Sequence, residues 1–318
     1  MLAGSFAAAE AQTAFGPANA KETYYWISQN STLPLFVRSD YRGMKKVADQ
    51  LGVKIRIAGP TSIDLQQFIA TIDQVCAQKP AGISVVGWDP ALTASVNKCI
   101  AMHVPTVVDD ADLPNSKRLA FIGTDWHTIG EEQAKAIIKA LPNGGEIAAL
   151  SMVNADNMKQ AVSGFTATLK AAGPRYKIVA YQDDAGDSST AASVASSIMA
   201  AHQNIAAMAG FDSESGPGIV EAVTEAHKQG KIVVTAMEQT PEFFKTLTTG
   251  STTAIIVQNR ELFTYYAFRL LYDFNHNGLS TNGLTSWEGK PIPVNVNTGV
   301  LVVTKDNVGP MLANTPKY

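Results

Sequence analysis

Short β-branched runs alternate with helix-length amphipathic segments along most of this chain, and the alternation starts a second time after Asp125. Strands that are separated by helices along a chain form parallel sheets with helices on both faces. The sequence therefore predicts an α/β fold with two doubly wound parallel-sheet lobes. The runs are TYYWISQ, VKIRIAG, AGISVVG, VPTVVD and LAFIGTD in the first set, and GGEIAALSM, YKIVAYQ, IAAMAGFD, KIVVTAME and TTAIIVQN in the second.

The length and the charge of the chain narrow the class of protein. Its 318 residues are enough for two domains of about 150 residues each. Lys and Arg number 25 against 28 for Asp and Glu, without a basic cluster, so we expect no nucleic-acid partner. No apolar run reaches the ~18 residues of a membrane-spanning helix.

The first 20 residues are rich in alanine and contain no Lys or Arg. Small residues recur at sites such as Ala9-Glu10-Ala11, as they do at the end of a secretory signal peptide. We expect residues 1–20 to be a disordered leader or signal-peptide remnant, which would place the protein in the periplasm. A low-complexity leader without a targeting role is the alternative.

Cys76 and Cys99 each fall late in a helix-length segment, and the two segments follow successive strands. Successive right-handed crossovers place such helices side by side on one face of a sheet. A disulfide between the two residues would suit an oxidising compartment, whereas two buried thiols would suit a hydrophobic core. The sequence leaves both interpretations open.

Polar and aromatic residues follow nearly every predicted strand. Between residues 104 and 126, one run ends in Asp109 and Asp110, and the next ends in Asp125. Open parallel sheets bind ligands beyond the carboxyl ends of their strands, so these residues are candidates for a functional site. A pair of catalytic carboxylates, a metal site and a set of partners for sugar hydroxyls are the chemistries to compare.

The sequence lacks the common catalytic motifs. It contains no G-x-S-x-G or H-E-x-x-H motif, and three of its five histidines lie near predicted helix ends. Two strand-end carboxylates would suit a glycosidase, but a doubly wound frame gives no independent reason to choose that activity. No Gly-rich turn has the spacing of a phosphate or dinucleotide site. We therefore expect neither an enzyme nor a bound cofactor.

The segment DFNHNG, from Asp273 to Gly278, resembles the opening half of a calcium-binding loop, with alternate oxygen ligands before a glycine. The twelfth position of that loop is Leu284, where a calcium loop has a bidentate Glu. A helix that ends in an Asn-Gly turn explains the segment better. We expect no metal site there.

A sugar presents hydroxyl groups around apolar C–H faces. Carboxylates accept charge-assisted hydrogen bonds from hydroxyls, amides donate and accept at once, and an aromatic ring covers a C–H face. Each residue alone has a simpler interpretation as a helix cap or a solvated acid, and Asp89 and Asp125 suit a cap best because each directly opens a helix. The candidate sugar-binding residues are Asn30, Phe36, Trp88, Asp109, Asp110, Asn157, Asp212, Glu238 and Gln258.

Several of these residues lie in motifs that resemble those of the periplasmic sugar-binding proteins of ABC importers, the ribose/galactose-type family that shares its core with LacI-type repressors. The likeness covers residues 23–308. The motifs are PLFV (34–37), VVD (107–109), IGTD (122–125), SGF (163–165), FD (211–212) leading to Gly218, AME (236–238) and IVQ (256–258).

The resemblance implies a type I periplasmic binding protein, whose chain crosses between two lobes three times and whose ligand is held as the lobes close. It implies a first lobe of 21–124 with 259–292 and a second lobe of 125–258 with 293–318. A monomeric protein of this kind would have an ABC permease in the inner membrane as its partner. By the same pattern, Phe36 and Trp88 would wall the sugar, and its hydroxyls would bind Asp109, Asp212, Glu238 and Gln258.

The sequence departs from the family pattern in three places. Asp110 and Ala161 stand where relatives often have Arg, and Glu238 stands where they have Asp. These changes predict an acidic site, so the expected ligand is a small sugar, a polyol or an amino sugar whose ammonium would pair with Asp110 or Glu238.

Two alternative functions stay open. The C-terminal TGVLVVTKDNV resembles the branch with rhamnose and autoinducer-2 receptors, which would make the ligand a signal. The sensor core of a LacI-type regulator is the other alternative, although residues 1–20 cannot supply its basic helix-turn-helix.

Overall fold

The computed structural model describes residues 13–276, 287 and 291–313. The chain forms two compact units, each with its own sheet, and passes between them three times. The first unit comprises the chain up to Gly123 together with Arg260–Thr298, and the second comprises Thr124–Asn259 together with the chain from Gly299. The predicted fold class, two doubly wound α/β lobes with three crossings, is confirmed.

Strands and helices alternate along the chain, with a short 3-10 helix at Pro90–Leu92. None of the described helices is long and apolar enough to cross a lipid bilayer. The strands are β1 (Ala14–Phe15), β2 (Thr23–Ile27), β3 (Lys54–Ala58), β4 (Gly82–Val86), β5 (Thr106–Asp110), β6 (Phe121–Gly123), β7 (Gly145–Ser151), β8 (Tyr176–Asp183), β9 (Ile205–Gly210), β10 (Val233–Ala236), β11 (Ala254–Gln258), β12 (Asn295–Asn297) and β13 (Val300–Val303). The helices are α1 (Pro34–Arg38), α2 (Asp40–Leu51), α3 (Leu65–Ala77), α4 (Thr93–Ala101), α5 (Trp126–Ala140), α6 (Asp156–Ala172), α7 (Ser188–Ala201), α8 (Ser215–Glu225), α9 (Pro241–Thr249), α10 (Arg260–His276) and α11 (Gly309–Ala313).

Both sheets are wound in the same order. The first has the order β1-β3-β2-β4-β5-β6-β12, and the second has the order β13-β11-β10-β9-β7-β8. All neighbours are parallel except the antiparallel edge strands β1 and β13. The winding direction reverses between β2 and β4 in the first sheet and between β7 and β9 in the second. Ligands of open α/β sheets bind at such reversal points.

The central strands of the first sheet are buried along their whole length. Every residue of β4 (GISVV) and β5 (TVVDD) is buried, as expected where helices cover both faces of a parallel sheet. The two charged residues of these strands, Asp109 and Asp110, stand at the carboxyl end of β5. The sheet therefore places these two acids at the carboxyl end of a central strand, beyond which open parallel sheets bind their ligands.

Helices α2 and α10 approach each other closely in the first unit. A Cβ atom added at Gly43 in α2 would overlap the backbone oxygen of Glu261 in α10, so only glycine allows the approach. The hydroxyl of Thr264 donates to the backbone oxygen of Asp40 at 2.7 Å. This contact brings the first residue of α2, Asp40, beside the first residue of α10, Arg260.

Two segments differ from the predicted organisation. Within the leader that we expected to be disordered, β1 pairs with β3, and Phe15 packs edge-on against Tyr41 with ring centroids 5.6 Å apart. Residues 1–12 of that leader lie outside the described residues. The strand β12, which the predicted boundaries assign to the second lobe, pairs with β6 of the first unit. Both strands satisfy backbone groups that an uncovered sheet edge would leave unpaired.

Cys76 and Cys99 form a disulfide between α3 and α4, which answers the question that the sequence left open. Their Cα atoms are 5.5 Å apart, within the usual range for a disulfide. Both side chains are fully buried in the core on one side of the first sheet. The two helices lie side by side, as successive right-handed crossovers predict.

Removal of the disulfide should destabilise the protein. We expect the double variant Cys76→Ala and Cys99→Ala to lose about 3 kcal/mol of unfolding free energy. The disulfide joins residues 23 positions apart and so restricts the unfolded chain. Urea denaturation measures the loss. Wild type in reductant should unfold like the double variant, and the variant should not respond to reductant. An identical midpoint for oxidised and reduced wild type would contradict the disulfide.

Candidate functional site

Asp109 is a buried acid with one unsatisfied oxygen. It is fully buried at the end of β5, and its Oδ2 accepts a hydrogen bond of 2.9 Å from Nε1 of Trp26 in β2. Its Oδ1 has no hydrogen-bond partner among the described residues. Burial, followed by the charges of Asp40 and Asp110, raises the pKa of Asp109 to about 8. Burial therefore favours the protonated form of Asp109.

Asp110, the next residue, makes a different set of contacts. Its backbone φ is +65°, in the left-handed region that Asp tolerates better than most residues. Its Oδ2 accepts a hydrogen bond of 2.9 Å from Nε1 of Trp88. Nη1 and Nη2 of Arg260 donate to its two oxygens at 3.0 and 3.2 Å. The carboxylate of Asp110 is therefore paired with a cation of the first unit.

Arg260, the first residue of α10, bonds to the predicted site residue Asp110, and sequence reasoning did not select it. It is 3% exposed, and it also donates to both oxygens of Asp40, from Nε at 3.0 Å and from Nη2 at 3.1 Å. Burial lowers the pKa of Arg260, but the carboxylates of Asp110 and Asp40 raise it further, to well above its ordinary value. The guanidinium therefore stays charged in the protein interior. The only sign in the sequence was a cation directly after a strand end, in VQNR.

Phe36 and Trp88 form a stacked pair, with ring centroids 5.5 Å apart and an interplanar angle of 26°. Phe36 is fully buried and also meets Trp26 edge-on at 5.2 Å, whereas Trp88 is only partly buried. Trp88 is thus the ring of the pair with accessible surface, and the ligand contact of Phe36 stays a prediction. Asn30 is half-buried in a left-handed turn, with φ of +50°, a few residues beyond the end of β2.

Asp212 follows β9 in the second unit and is 7% exposed. Its Oδ1 accepts hydrogen bonds from the backbone N–H groups of Glu214 and Ser215, at 2.9 and 2.8 Å. Its Oδ2 accepts one from the N–H of Met152 at 3.2 Å. These bonds hold the turn into α8 and explain the burial of the carboxylate by themselves. Its ligand role stays a prediction.

The remaining predicted residues of the second unit are also buried. Glu238 is 6% exposed and accepts a hydrogen bond of 2.6 Å from the N–H of Thr240. Burial raises the pKa of Glu238 to about 7, although that hydrogen bond lowers it. Gln258 is 4% exposed at the end of the neighbouring strand β11. Asn157 is 3% exposed in the first turn of α6, and its Oδ1 lacks a partner in the described part of the chain.

Asp184, directly after β8, is a second residue that sequence reasoning did not select. It is fully buried, and its oxygens accept hydrogen bonds from the hydroxyl of Ser215 at 2.5 Å and from the N–H of Gly186 at 3.1 Å. Burial, and then the neighbouring charge of Asp212, raises the pKa of Asp184 to about 7. Asp183 and Asp184 are adjacent in the sequence, and nothing in the sequence indicates that only Asp184 is buried.

Two strand-end acids cap helices, as predicted. Asp89 accepts a hydrogen bond of 2.8 Å from the N–H of Ala91 and opens the 3-10 helix. Asp125 accepts one of 2.9 Å from the N–H of His127 and opens α5. Both acids are therefore explained by local structure.

In residues 13–276, 287 and 291–313, no group of three or more His, Cys, Asp or Glu side chains is placed to hold a metal ion. Asp273, which begins the segment that resembles a calcium loop, accepts two hydrogen bonds of 3.1 Å from Nε of Arg269. Gly278 and Leu284 of that segment lie outside the described residues.

Known proteins share this architecture. Residues 24–276 match the family model described as a periplasmic binding protein domain. The chain is 26% identical over 253 residues to the D-allose-binding periplasmic protein of Escherichia coli (strain K12), covering 74% of this chain and 79% of that protein.

Solved structures give the same result. A sugar-binding protein of a sugar ABC transporter from Bacillus halodurans has a TM-score of 0.84 and 27% identity, covering 91% of this chain and 100% of that chain. An ABC-transporter solute-binding protein from Burkholderia graminis, in complex with D-arabinose, has a TM-score of 0.82 and 25% identity, covering 91% and 97%. The family match spans well over half of the sequence, includes every predicted site residue of both units and confirms the resemblance seen in the motifs. The chain belongs to the periplasmic binding protein family.

Proposed function

We propose that this protein binds a small neutral sugar outside the cytoplasm and delivers it to an ABC permease in the inner membrane. The observation that carries the proposal is a pair of buried oxygens, Oδ1 of Asp109 and Oδ1 of Asn157, for which the described residues supply no partner. A buried polar atom is unfavourable unless it is hydrogen-bonded. Sugar hydroxyls would satisfy both atoms.

The proposed ligand class agrees with relatives that are similar over most of the chain. These proteins are named for D-allose or were crystallised with D-arabinose, and both sugars are uncharged. The accessible surface of Trp88 suits the C–H face of such a ring. In this proposal, the sugar leaves chemically unchanged because the protein is a transport component and not an enzyme.

Of the small sugar, polyol and amino sugar that the sequence predicts, the acids at the strand ends favour a neutral ligand. Asp110 is already paired with Arg260. Glu238 and Asp109 have pKa values raised to about 7 and about 8, so both bind protons readily at neutral pH. Asp110 and Glu238, the two acids predicted to pair with an ammonium, would therefore attract it less than two free carboxylates would.

The location and the partner belong to the same proposal. Membership of a periplasmic family and similarity to a periplasmic allose-binding protein support export to the periplasm by an N-terminal signal. We propose a monomer that meets its permease there. A receptor for an autoinducer-2-type signal and a regulator's sensor core are the alternatives, and the class of ligand bound distinguishes them.

A ligand screen tests the proposal first. We expect the melting temperature of the ligand-free protein to rise by several degrees with a neutral pentose or hexose, because a ligand specific for the folded state stabilises it by mass action. The panel should include D-allose, D-arabinose, alditols, glucosamine and autoinducer-2. A shift with glucosamine alone would contradict the neutral ligand, and a shift with autoinducer-2 alone would favour the signal receptor. No shift with any sugar would contradict sugar binding.

Two truncations test the residues. Asp109→Ala and Asn157→Ala should each weaken binding of that sugar roughly two- to tenfold, because each removes a hydrogen bond worth about 0.5–1.5 kcal/mol. Isothermal titration calorimetry measures the affinities. Asp89→Ala is the matched control, a strand-end aspartate that should lose about 1 kcal/mol of stability as a helix cap without a change in affinity. Wild-type affinity in both test variants would remove these residues from the site.

The raised pKa of Asp109 predicts how stability depends on pH. The folded-state pKa of Asp109 is about 8, against an ordinary value of 3.8, so the folded protein holds the proton more tightly than the unfolded chain does. The resulting contribution to the free energy of unfolding is complete below pH 3.8 and is lost as pH rises through 8. Asp109→Asn mimics the protonated acid at every pH. The melting temperature of this variant relative to ligand-free wild type should therefore increase between about pH 5 and about pH 8. A constant difference would show that Asp109 ionises normally.

A further inference from the structure

Arg260 lies at the centre of a buried group of contacts within the first unit. Its Nε and Nη2 donate to the two oxygens of Asp40, and its Nη1 and Nη2 donate to the two oxygens of Asp110, at 3.0 to 3.2 Å. All three side chains are at most 3% exposed. Both pairings use the planar fork of the guanidinium, which lysine cannot reproduce.

The arginine is connected to two aromatic residues with predicted ligand roles. Trp88 donates from Nε1 to Oδ2 of Asp110 at 2.9 Å and stacks on Phe36 with centroids 5.5 Å apart. The guanidinium carbon of Arg260 lies 5.1 Å from the centroid of the Phe36 ring. Arg260, Asp110, Trp88 and Phe36 therefore form a closed loop of contacts.

We propose that Arg260 is a positioning residue of the sugar site: it holds Asp110, Trp88 and Phe36 in place, and leaves Asp109 as the carboxyl of β5 that binds the sugar. The inference rests on the proposed function. It assigns Arg260 no contact with the sugar, because its Nε, Nη1 and Nη2 groups already bond to Asp40 and Asp110.

The backbone supports this division of roles between the two adjacent acids. A positive φ is unfavourable for a residue other than glycine and persists where surrounding contacts hold it. At Asp110 those contacts come from Arg260 and Trp88. Asp109 instead meets Trp26, and its Oδ1 has no partner among the residues described.

Stability alone is a weak explanation for this arrangement. The desolvation of buried ions largely offsets their attraction, so an apolar cluster of similar volume would stabilise the fold as well. An apolar cluster would not fix the indole of Trp88 through a hydrogen bond to an oriented carboxylate. Residues that contact a ligand must be held in a fixed orientation by the residues that pack and hydrogen-bond against them.

The test compares Arg260→Lys with Arg269→Lys. Both arginines belong to α10, and Arg269 bonds to the carboxylate of Asp273 on the exposed side of the helix. We expect Arg260→Lys to weaken binding of the wild-type sugar roughly 10- to 100-fold, because lysine keeps the charge and loses both forks. Arg269→Lys should bind like wild type.

A spectroscopic measurement separates positioning from a general loss of stability. The contribution of Trp88 to the near-UV circular dichroism is obtained by subtracting the spectrum of Trp88→Phe from that of ligand-free wild type. We expect this signal to be lost in Arg260→Lys, because the indole is no longer held, while the far-UV spectrum stays that of the wild type. Arg269→Lys should keep the signal.

Three results would overturn the inference. If wild type binds a sugar and Arg260→Lys keeps both its affinity and the Trp88 signal, the inference fails and the proposed function stands. If wild type binds no sugar, the proposed function fails and the inference fails with it. If Arg260→Lys does not fold, the triple variant Asp40→Asn, Asp110→Asn and Arg260→Gln replaces it, since it leaves no unpaired charge in this group; wild-type affinity there would also overturn the inference.

Discussion

Helices cover both faces of each sheet, so strands such as β4 and β5 have no face on which a charged side chain meets water. The charged residues of these two strands are confined to the carboxyl end of β5, and parallel pairing brings the carboxyl ends of neighbouring strands together. Trp88 and Asp109 share an edge for this reason, and Glu238 and Gln258 do so in the second unit. The location of the candidate site therefore follows from the winding of the sheets. Its chemistry follows from the few residues at the carboxyl ends of the strands.

An acid at such an edge is largely removed from water, and the protein compensates for this in three ways. Asp110 receives the guanidinium of a buried arginine. Asp212 receives backbone N–H groups and needs no cation. Asp109 and Asp184 have pKa values raised to about 8 and about 7, so they bind protons near neutral pH. A sequence rich in strand-end acids can thus carry less negative charge at these strand ends than its count of acids implies.

Features that depend on neighbours along the chain could be predicted from the sequence. The two doubly wound sheets follow from the alternation of strands and helices, and the caps at Asp89 and Asp125 follow from an acid directly before a helix. The pairing of Arg260 with Asp40 and with Asp110 could not be predicted, because it joins residues 220 and 150 positions apart. No local pattern shows which acid a distant cation will meet. The place of β12 in the first sheet depends in the same way on its pairing with β6.

The first unit is made from two separate stretches of chain, and this determines the order in which it is completed. Asp40 and Asp110 are synthesised early, but their cation emerges only after the whole of Thr124–Asn259 has been made. Helix α10, which begins with that cation, also covers β4, β5 and β6. A nascent chain therefore carries a sheet with part of one face uncovered, and two acids without this counter-charge, while the strands of the other unit are added. The first unit therefore reaches its native core only after α10 has been synthesised.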